Sequence, residues 1–335
     1  MNKTVAERIQ YLIRLGVVLQ TPEVMQKAIN IAKSSNAWFV DDFVRTAIQA
    51  IYTQMLTEDA LATWLSAYQI PDAGVEKTIG IITAGNIPLV GFHDFLCAYV
   101  CGCKIKLKLS SKDDQLLPYV IELLGQIDST LKQEVQIIER LENFDAVIAT
   151  GSNNSHRYFE YYFRQYPKVL RHNRNSVAIL TGTETTGQLS ALADDVFMYF
   201  GLGCRNVSKL YVPVGYELTW LFPAFEKYKW LHHHSRYMNN YDYHRSILLL
   251  NNTPHLANEF IMLQENKRLS SPIAMLYYEY YEDYGVPKSE YNKIQCIVGI
   301  NEHITLGDSQ KPTLSDYADG VDIVNFLLSL KTFSK

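Results

Sequence analysis

The chain has 335 residues, 47% of them hydrophobic, and a formal net charge of −4 at pH 7. This length and apolar content can bury a substantial core, which excludes a disordered protein and favours two domains. The slightly acidic balance excludes a global basic field, so we expect neither nucleic acid nor an anionic membrane surface as a partner.

The N-terminal segment and the cysteines bear on cellular location. Charged side chains interrupt the apolar residues of the first 20 positions, which predicts an amphipathic helix and not a signal peptide. No apolar run approaches the length of about 20 residues that a membrane-spanning helix needs. The 5 cysteines are an odd number, which without a secretory signal indicates reduced thiols. We therefore expect a cytoplasmic protein with no membrane span.

In chain order, residues 1–70 carry the 3.6-residue apolar repeat of helices, and Pro71 and Gly74 mark its end. Strands and helices then alternate, which implies a parallel sheet with helical crossovers. The strands are predicted at 78–83, 104–109, 135–139 and 145–149, and the helices at 89–100, 116–126 and 155–165.

A second region of strands and helices begins near residue 175, where we predict a domain boundary. The predicted strands are 176–180, 209–212, 260–263, 274–278 and 295–298, and the predicted helices are 188–200, 218–230 and 237–248.

Cys204 follows the turn Gly201-Leu202-Gly203 at the end of a predicted helix. Glycines allow a tight bend and the close approach of a substrate. Arg205 and the backbone amides of a following turn favour a thiolate. These features indicate a nucleophile, although an inert buried thiol is the commoner state of a single cysteine.

Asn86 lies in a turn between a predicted strand and a predicted helix. A side-chain amide in such a turn can donate a hydrogen bond to a developing oxyanion. Asparagine is also a common turn residue and helix N-cap, and this alternative stays open.

Three lysines alternate along one predicted strand, so Lys104, Lys106 and Lys108 share one of its faces. Their mutual repulsion would be relieved by a phosphate-bearing ligand. The alternative is a solvated edge strand, where lysine is favoured.

A second phosphate candidate is the turn Thr150-Gly151-Ser152, because a helix N-terminus presents bare N–H groups to a pyrophosphate.

Two histidine and cysteine groups resemble metal sites, but we expect no metal. His93, Cys97 and Cys101 are spaced along more than a turn of one helix without a second ligand pair, which favours thiols packed in a core. Consecutive histidines at 232–234 point in different directions, which is typical of a loop.

Four segments in this order resemble the aldehyde-dehydrogenase superfamily, and in particular the LuxC-type acyl-CoA reductases. The segments are 84–114, 149–159, 171–180 and 199–213. The resemblance implies an α/β fold of two Rossmann-like parallel-sheet domains with an N-terminal helical segment. It assigns residues 1–175 to a cofactor-binding domain with 1–70 as its helical lead-in, and 176–310 to a catalytic domain. A C-terminal helix within 311–335 is expected to return to the cofactor domain.

The resemblance also implies roles for individual residues. Cys204 matches the family's nucleophile, and Asn86 matches the amide that, with the Cys204 backbone N–H, stabilises the oxyanion. Lys108 matches the lysine on the cofactor's adenosine ribose. Gly151 and Ser152 match the start of the turn over the pyrophosphate, and we assign Lys106 and Thr150 to the same cofactor site.

Two departures from the family refine this reading. The family's general-base Glu is missing from 173–177, which favours a reductase over a hydrolytic enzyme. The Glu that holds the nicotinamide ribose has no clear match in 265–272.

The resemblance therefore implies reduction of an acyl-CoA to an aldehyde through a Cys204 thioacyl-enzyme. The lysines favour NADPH, with NAD as the alternative, and a homodimer stays open. Alternative functions are an acyl-phosphate reductase, an aldehyde dehydrogenase or an inactive scaffold of the same fold.

Overall fold

The structure is a computed structural model that describes residues 3–151 and 153–330, with the backbone alone for residue 153. The chain divides into two compact units. The first unit contains the residues up to Asn173 together with those from Pro312 onward, and the second contains Arg174–Lys311.

The first unit begins with four helices, which confirms the predicted helical segment. They are α1 (Val5–Val18), α2 (Pro22–Ser35), α3 (Asp41–Gln54) and α4 (Glu58–Leu65). The start of α1 is set by a capping box, in which Thr4 and Glu7 satisfy each other's backbone N–H groups. Leu12, Leu15 and Leu19 are fully buried, so the apolar repeat of this segment faces the core.

The sheet of the first unit has five parallel strands in the order β3-β2-β1-β4-β5. The strands are β1 (Thr78–Ile82), β2 (Lys104–Lys108), β3 (Val135–Ile137), β4 (Ala146–Thr150) and β5 (Lys168–Arg171). The crossover helices are α5 (Phe92–Val100), α6 (Leu116–Ile127), α7 (Leu131–Glu134) and α8 (Asn153–Tyr162). From β1 the chain moves outward to β2 and β3, and it then returns to β4 on the other side of β1. Such a switch in strand order creates a crevice at the carboxyl ends of the strands, where ligands bind in open α/β sheets.

The second unit is built on a six-stranded sheet in the order β11-β6-β7-β10-β9-β8. All neighbouring pairs are parallel except β8 with β9. The strands are β6 (Asn175–Ile179), β7 (Val207–Pro213), β8 (Leu256–Ala257), β9 (Met262–Glu265), β10 (Met275–Tyr281) and β11 (Ile294–Val298). The α-helices are α9 (Thr186–Phe197), α10 (Leu221–Ala224) and α11 (Ser235–Leu250).

The last helix, α12 (Ile323–Ser329), packs against α5 in the first unit. The segment before it is fastened by tyrosine hydroxyls. Tyr317 Oη accepts a hydrogen bond of 2.8 Å from the indole N–H of Trp64. Tyr68 Oη donates to Asp322 at 2.8 Å.

The helices predicted at 218–230 and 89–100 differ from the structure, each for a local reason. A continuous helix over 218–230 is replaced by a short 3-10 turn, the four-residue α10 and a second 3-10 segment at 226–233. Pro223 lies within this stretch and lacks the N–H that a continuous helix needs. Helix α5 begins at Phe92 and not at Leu89, because Leu89 has a left-handed φ of 58°. None of the helices in the described part of the chain is long and apolar enough to span a bilayer.

A buried ion pair joins α5 to β5 within the first unit. The Arg171 guanidinium donates to both carboxylate oxygens of Asp94 at 2.8 and 2.5 Å, and the two side chains are 7% and 3% exposed.

We predict that Asp94→Asn destabilises the protein by about 3–5 kcal/mol, because a buried guanidinium loses its counter-charge. Thermal unfolding measures this loss. The matched control is Asp41→Asn, which removes the half-exposed pair with Lys33 and should cost no more than about 1 kcal/mol. Equal losses in the two variants would contradict the prediction.

Candidate active site

The residues 199–206, which we call the Cys204 turn, connect α9 to β7 in the second unit. Tyr199, Phe200 and Gly201 have φ values of 52°, 58° and 73°. Left-handed conformations are costly for the two aromatic residues. Their side chains are only 6% and 1% exposed, so packing holds them there. The predicted helix therefore stops at Phe197, and the chain reverses before Cys204.

Asn206 fastens this turn from inside, and its side chain is buried. Its Oδ1 accepts the N–H of Gly203 at 2.8 Å. Its Nδ2 donates to the carbonyl oxygens of Met198 at 2.8 Å and Asp195 at 3.1 Å. One amide side chain thus joins the two ends of the turn, and it fixes the backbone on both sides of Cys204.

The neighbouring strands hold the same turn from the sheet side. Ser176 Oγ on β6 donates to the carbonyl oxygen of Cys204 at 2.9 Å and lies 2.9 Å from Cys296 Sγ on β11. Burial raises the pKa of the Cys296 thiol. Cys204 is the only one of the five cysteines that is not buried, and none of them forms a disulfide. The cysteine that the sequence singled out is therefore also the most accessible one.

Asn86 lies in the loop 83–91, which we call the Asn86 loop, between β1 and α5 in the first unit. Asn86 is half-buried and is not the N-cap of α5, because that position belongs to Gly91. The loop interlocks with the next βα loop. A Cβ atom on Gly85 would lie 2.8 Å from the backbone nitrogen of Asp113, so only glycine fits this approach.

Asp113 holds the Asn86 loop through a buried carboxylate. Its Oδ2 accepts the N–H of Leu89 at 3.2 Å. Burial raises the pKa of Asp113 to about 6, although backbone N–H groups of Leu89, Leu116 and Leu117 act in the opposite direction. Asp113 was not among the residues predicted from the sequence. Its position just before α6, where an acidic side chain faces the helix N-terminus, is the available sequence signal.

The lysine-bearing strand β2 lies inside the sheet between β3 and β1, so a solvated edge strand is ruled out as an explanation. Lys106 Nζ donates to the carbonyl oxygen of Glu142 at 2.8 Å, and Lys108 Nζ donates to that of Glu139 at 2.7 Å. Lys104 is exposed. Because an ammonium group has three donors, Lys106 and Lys108 can each bind a backbone carbonyl and a phosphate oxygen together.

Thr150 and Gly151 connect β4 to α8 at the switch in strand order. A Cβ atom on Gly151 would lie 2.9 Å from the Phe159 ring and 3.0 Å from the Cβ of Ser155. Glycine therefore lets the first turn of α8 approach the strand end closely. Ser152, which we assigned to the same turn, lies outside the described residues. The roles of all these residues remain predictions.

The cysteines in and just after α5 lie in the core of the first unit. Cys97, Cys101 and Cys103 are at most 2% exposed, and burial raises the pKa of each thiol. His93 Nε2 lies 3.0 Å from the carbonyl oxygen of Leu314. In the described residues, no group of three or more histidine, cysteine or acidic side chains could hold a metal ion.

Several solved structures are similar to this chain in fold. The chain is similar to the aldehyde dehydrogenase of Bacillus cereus in complex with NAD+, with 14% identity, 86% of this chain and 69% of that chain covered, and a TM-score of 0.60. It is similar to aldehyde dehydrogenase 21 of Physcomitrella patens, solved with the reaction product succinate, with 13% identity, 98% and 85% of the two chains covered, and a TM-score of 0.65. These likenesses confirm the predicted fold class: the chain has the aldehyde-dehydrogenase fold. No family model matches the sequence, and no curated protein is significantly similar to it.

Asp113 gives the first unit a specific pH dependence. Because its folded-state pKa is raised, the folded state binds the proton more tightly, so stability falls as pH rises from about 4 through about 6. Asp113→Asn removes this term. We predict that the variant gains about 1–3 kcal/mol relative to wild type between pH 4.5 and pH 7.5. Calorimetric unfolding at both pH values measures the change. A difference that does not vary with pH would contradict the prediction.

Proposed function

We propose that this protein reduces an acyl-CoA thioester to an aldehyde, with NADPH as the cofactor and Cys204 as the nucleophile. The observation that carries the proposal is the placement of Cys204. It is the one accessible cysteine, and it lies on a turn whose backbone is fixed by Asn206 and Ser176 in a chain with the aldehyde-dehydrogenase fold. A nucleophile on a rigid turn loses little freedom when the substrate binds, which favours covalent catalysis.

In the proposed reaction, the Cys204 thiolate attacks the carbonyl carbon of the thioester. The carbon–sulfur bond to CoA then breaks, and CoA leaves as a thiolate. The proposal assigns the Asn86 amide to the negative oxygen of the tetrahedral intermediate, and removing one such donor typically costs about 10²–10³ in rate. The product of this half-reaction is an acyl group bound to Cys204 as a thioester.

The carboxyl edge of the first sheet fits a dinucleotide phosphate. Lys108 retains donors beyond its bond to Glu139, and Gly151 brings the N-terminus of α8 close to the end of β4. When bound, the nicotinamide supplies the hydride for the thioacyl group. The resulting hemithioacetal collapses, which releases the aldehyde and returns Cys204 as a thiolate. Lys106 and Lys108 also favour a cofactor that carries an additional phosphate.

The segment 173–177 supports reduction over hydrolysis. Hydrolysis of a thioacyl-enzyme needs a base that activates water, and this segment contains no carboxylate. Its Ser176 side chain instead donates to the carbonyl oxygen of Cys204. Within this segment Ser176 holds the turn, and none of the side chains is a base of the required strength.

The nucleophile is tested by trapping the thioacyl-enzyme. We predict that Cys204→Ala abolishes covalent labelling by an acyl-CoA carrying a labelled acyl group, because no other accessible thiol is present. Mass spectrometry of the labelled protein measures the result. Cys103→Ala, which changes a buried thiol, is the control and should keep full labelling. Persistent labelling of Cys204→Ala would rule out the proposed nucleophile. If wild type is labelled by an acyl phosphate but not by an acyl-CoA, the substrate is an acyl phosphate and not a thioester.

The cofactor preference is tested on the lysine-bearing strand. We predict that Lys106→Ala raises KM for NADPH about tenfold and leaves KM for NADH nearly unchanged, because only NADPH carries the 2′-phosphate. Steady-state kinetics with both cofactors measures the effect. Lys104→Ala, at the exposed start of the same strand, is the matched control and should change neither value. Equal increases for both cofactors would contradict the 2′-phosphate argument.

A further inference from the structure

Asp195, on the last turn of α9, is a fully buried carboxylate with no place in the reaction proposed above. Its two oxygens accept backbone N–H groups of the loop 305–310. Oδ2 accepts from Gly307 at 2.6 Å, and Oδ1 accepts from Ser309 at 2.9 Å. A buried carboxylate with two such bonds anchors this loop to α9.

Gly307 shows how closely the loop and the helix fit. Its φ is 95°, a conformation that favours glycine, and a Cβ atom there would lie 2.9 Å from the Cβ of Ala191 on α9. The loop therefore rests directly on the helix. A change in the bonds of Asp195 has little room to be absorbed by a shift of the loop toward α9.

From Asp195, two hydrogen-bonded routes lead to the Cys204 turn. Along the first, the carbonyl oxygen of Ser309 accepts the Nε–H of Arg205 at 2.5 Å. Along the second, the backbone carbonyl of Asp195 itself accepts from Asn206 at 3.1 Å. Asp195 thus reaches both residues that follow Cys204 in the sequence.

The groups around Asp195 allow its charge to change near neutral pH. Burial raises the pKa of Asp195 to about 6, against the lowering effect of the Gly307 and Ser309 hydrogen bonds. Asp194 on the same helix also raises it. Tyr228 from the 226–233 segment and Cys296 from β11 interact electrostatically with Asp195. Once protonated, one of its oxygens presents a hydroxyl to an N–H group, and that hydrogen bond is weakened.

We propose that Asp195 is a positioning residue for the nucleophile: its carboxylate holds the Cys204 turn through Ser309 and Arg205, and Cys204 reacts at full rate only while Asp195 is ionised. This inference rests on the proposed function for the role of Cys204. It adds a residue that touches no substrate and acts through the loop 305–310.

The test compares wild type with Asp195→Asn between pH 5 and pH 8.5. Two rates are measured: alkylation of Cys204 by iodoacetamide, followed by peptide mass spectrometry, and thioacylation by a labelled acyl-CoA. Asparagine resembles the protonated carboxyl group. The ratio of wild-type to variant rate should therefore be about tenfold at pH 8 and fall toward one below about pH 6. Intrinsic ionisation of the thiol cancels in this ratio.

Two further variants keep the test decisive. Asp194→Asn removes the neighbouring, partly exposed carboxylate that pairs with Lys227 and leaves the two bonds of Asp195 in place, so its ratio should stay near one at pH 8, where Asp195 is ionised in both proteins. Arg205→Lys keeps the positive charge and loses the Nε donor to Ser309 without altering the buried carboxylate. Its ratio should vary with pH as that of Asp195→Asn does. This variant therefore replaces Asp195→Asn in the test if Asp195→Asn fails to fold.

The two hypotheses fail in different ways. If wild type forms the thioacyl-enzyme but the rate ratios for Asp195→Asn and Arg205→Lys stay constant with pH, the role of Asp195 is overturned and the proposed function stands. If no thioacyl-enzyme forms and the alkylation ratios vary with pH as expected, the positioning role stands and the proposed function is overturned.

Discussion

Buried aspartate carboxylates that accept backbone N–H groups lie beside both loops on which the proposed chemistry depends, in direct contact with one and linked to the other through a third loop. In the first unit, Asp113 accepts the N–H of Leu89 in the Asn86 loop. In the second, Asp195 accepts N–H groups of the loop 305–310, which contacts the Cys204 turn through Arg205. Buried N–H groups in irregular segments need an acceptor, and a carboxylate can serve two of them at once. Each loop is thereby fixed without the repeated hydrogen bonds of a helix or a sheet.

This arrangement has an energetic cost that the amide hydrogen bonds only partly offset. Burial raises the pKa of both carboxyl groups to about 6, so desolvation outweighs the amide contacts in each case. Backbone strain adds to the cost, because Leu89, Tyr199 and Phe200 adopt left-handed conformations that favour glycine. Unfavourable terms of this kind persist only where the surrounding structure over-determines them, and the two loops that carry Asn86 and Cys204 are among the segments that contain them.

The sequence predicted the fold well where local pattern decides it. The apolar runs of β1 and β4 and the helices between the strands follow from periodicity, whereas β5 has no comparable run and was missed. Glycines beside Cys204 marked that turn, although its left-handed aromatic residues were not foreseen. The contacts of Asp113 and Asp195 could not be predicted. They join positions 24 and 112 residues apart in the chain, and no local repeat encodes which loop meets which carboxylate.

The hydrogen bonds made by the polar side chains around Cys204 also bear on the choice between reduction and hydrolysis. Ser176 and Asn206 are both buried, and both use their hydrogen-bonding groups on the backbone of the turn. Neither is a base at neutral pH, so they contribute rigidity and no proton transfer. The nearest carboxylate in this network, Asp195, is fully buried and bonded to two amides. The hydrogen bonds of Ser176 and Asn206 therefore make the turn rigid, which agrees with the proposed role of Cys204 as a nucleophile.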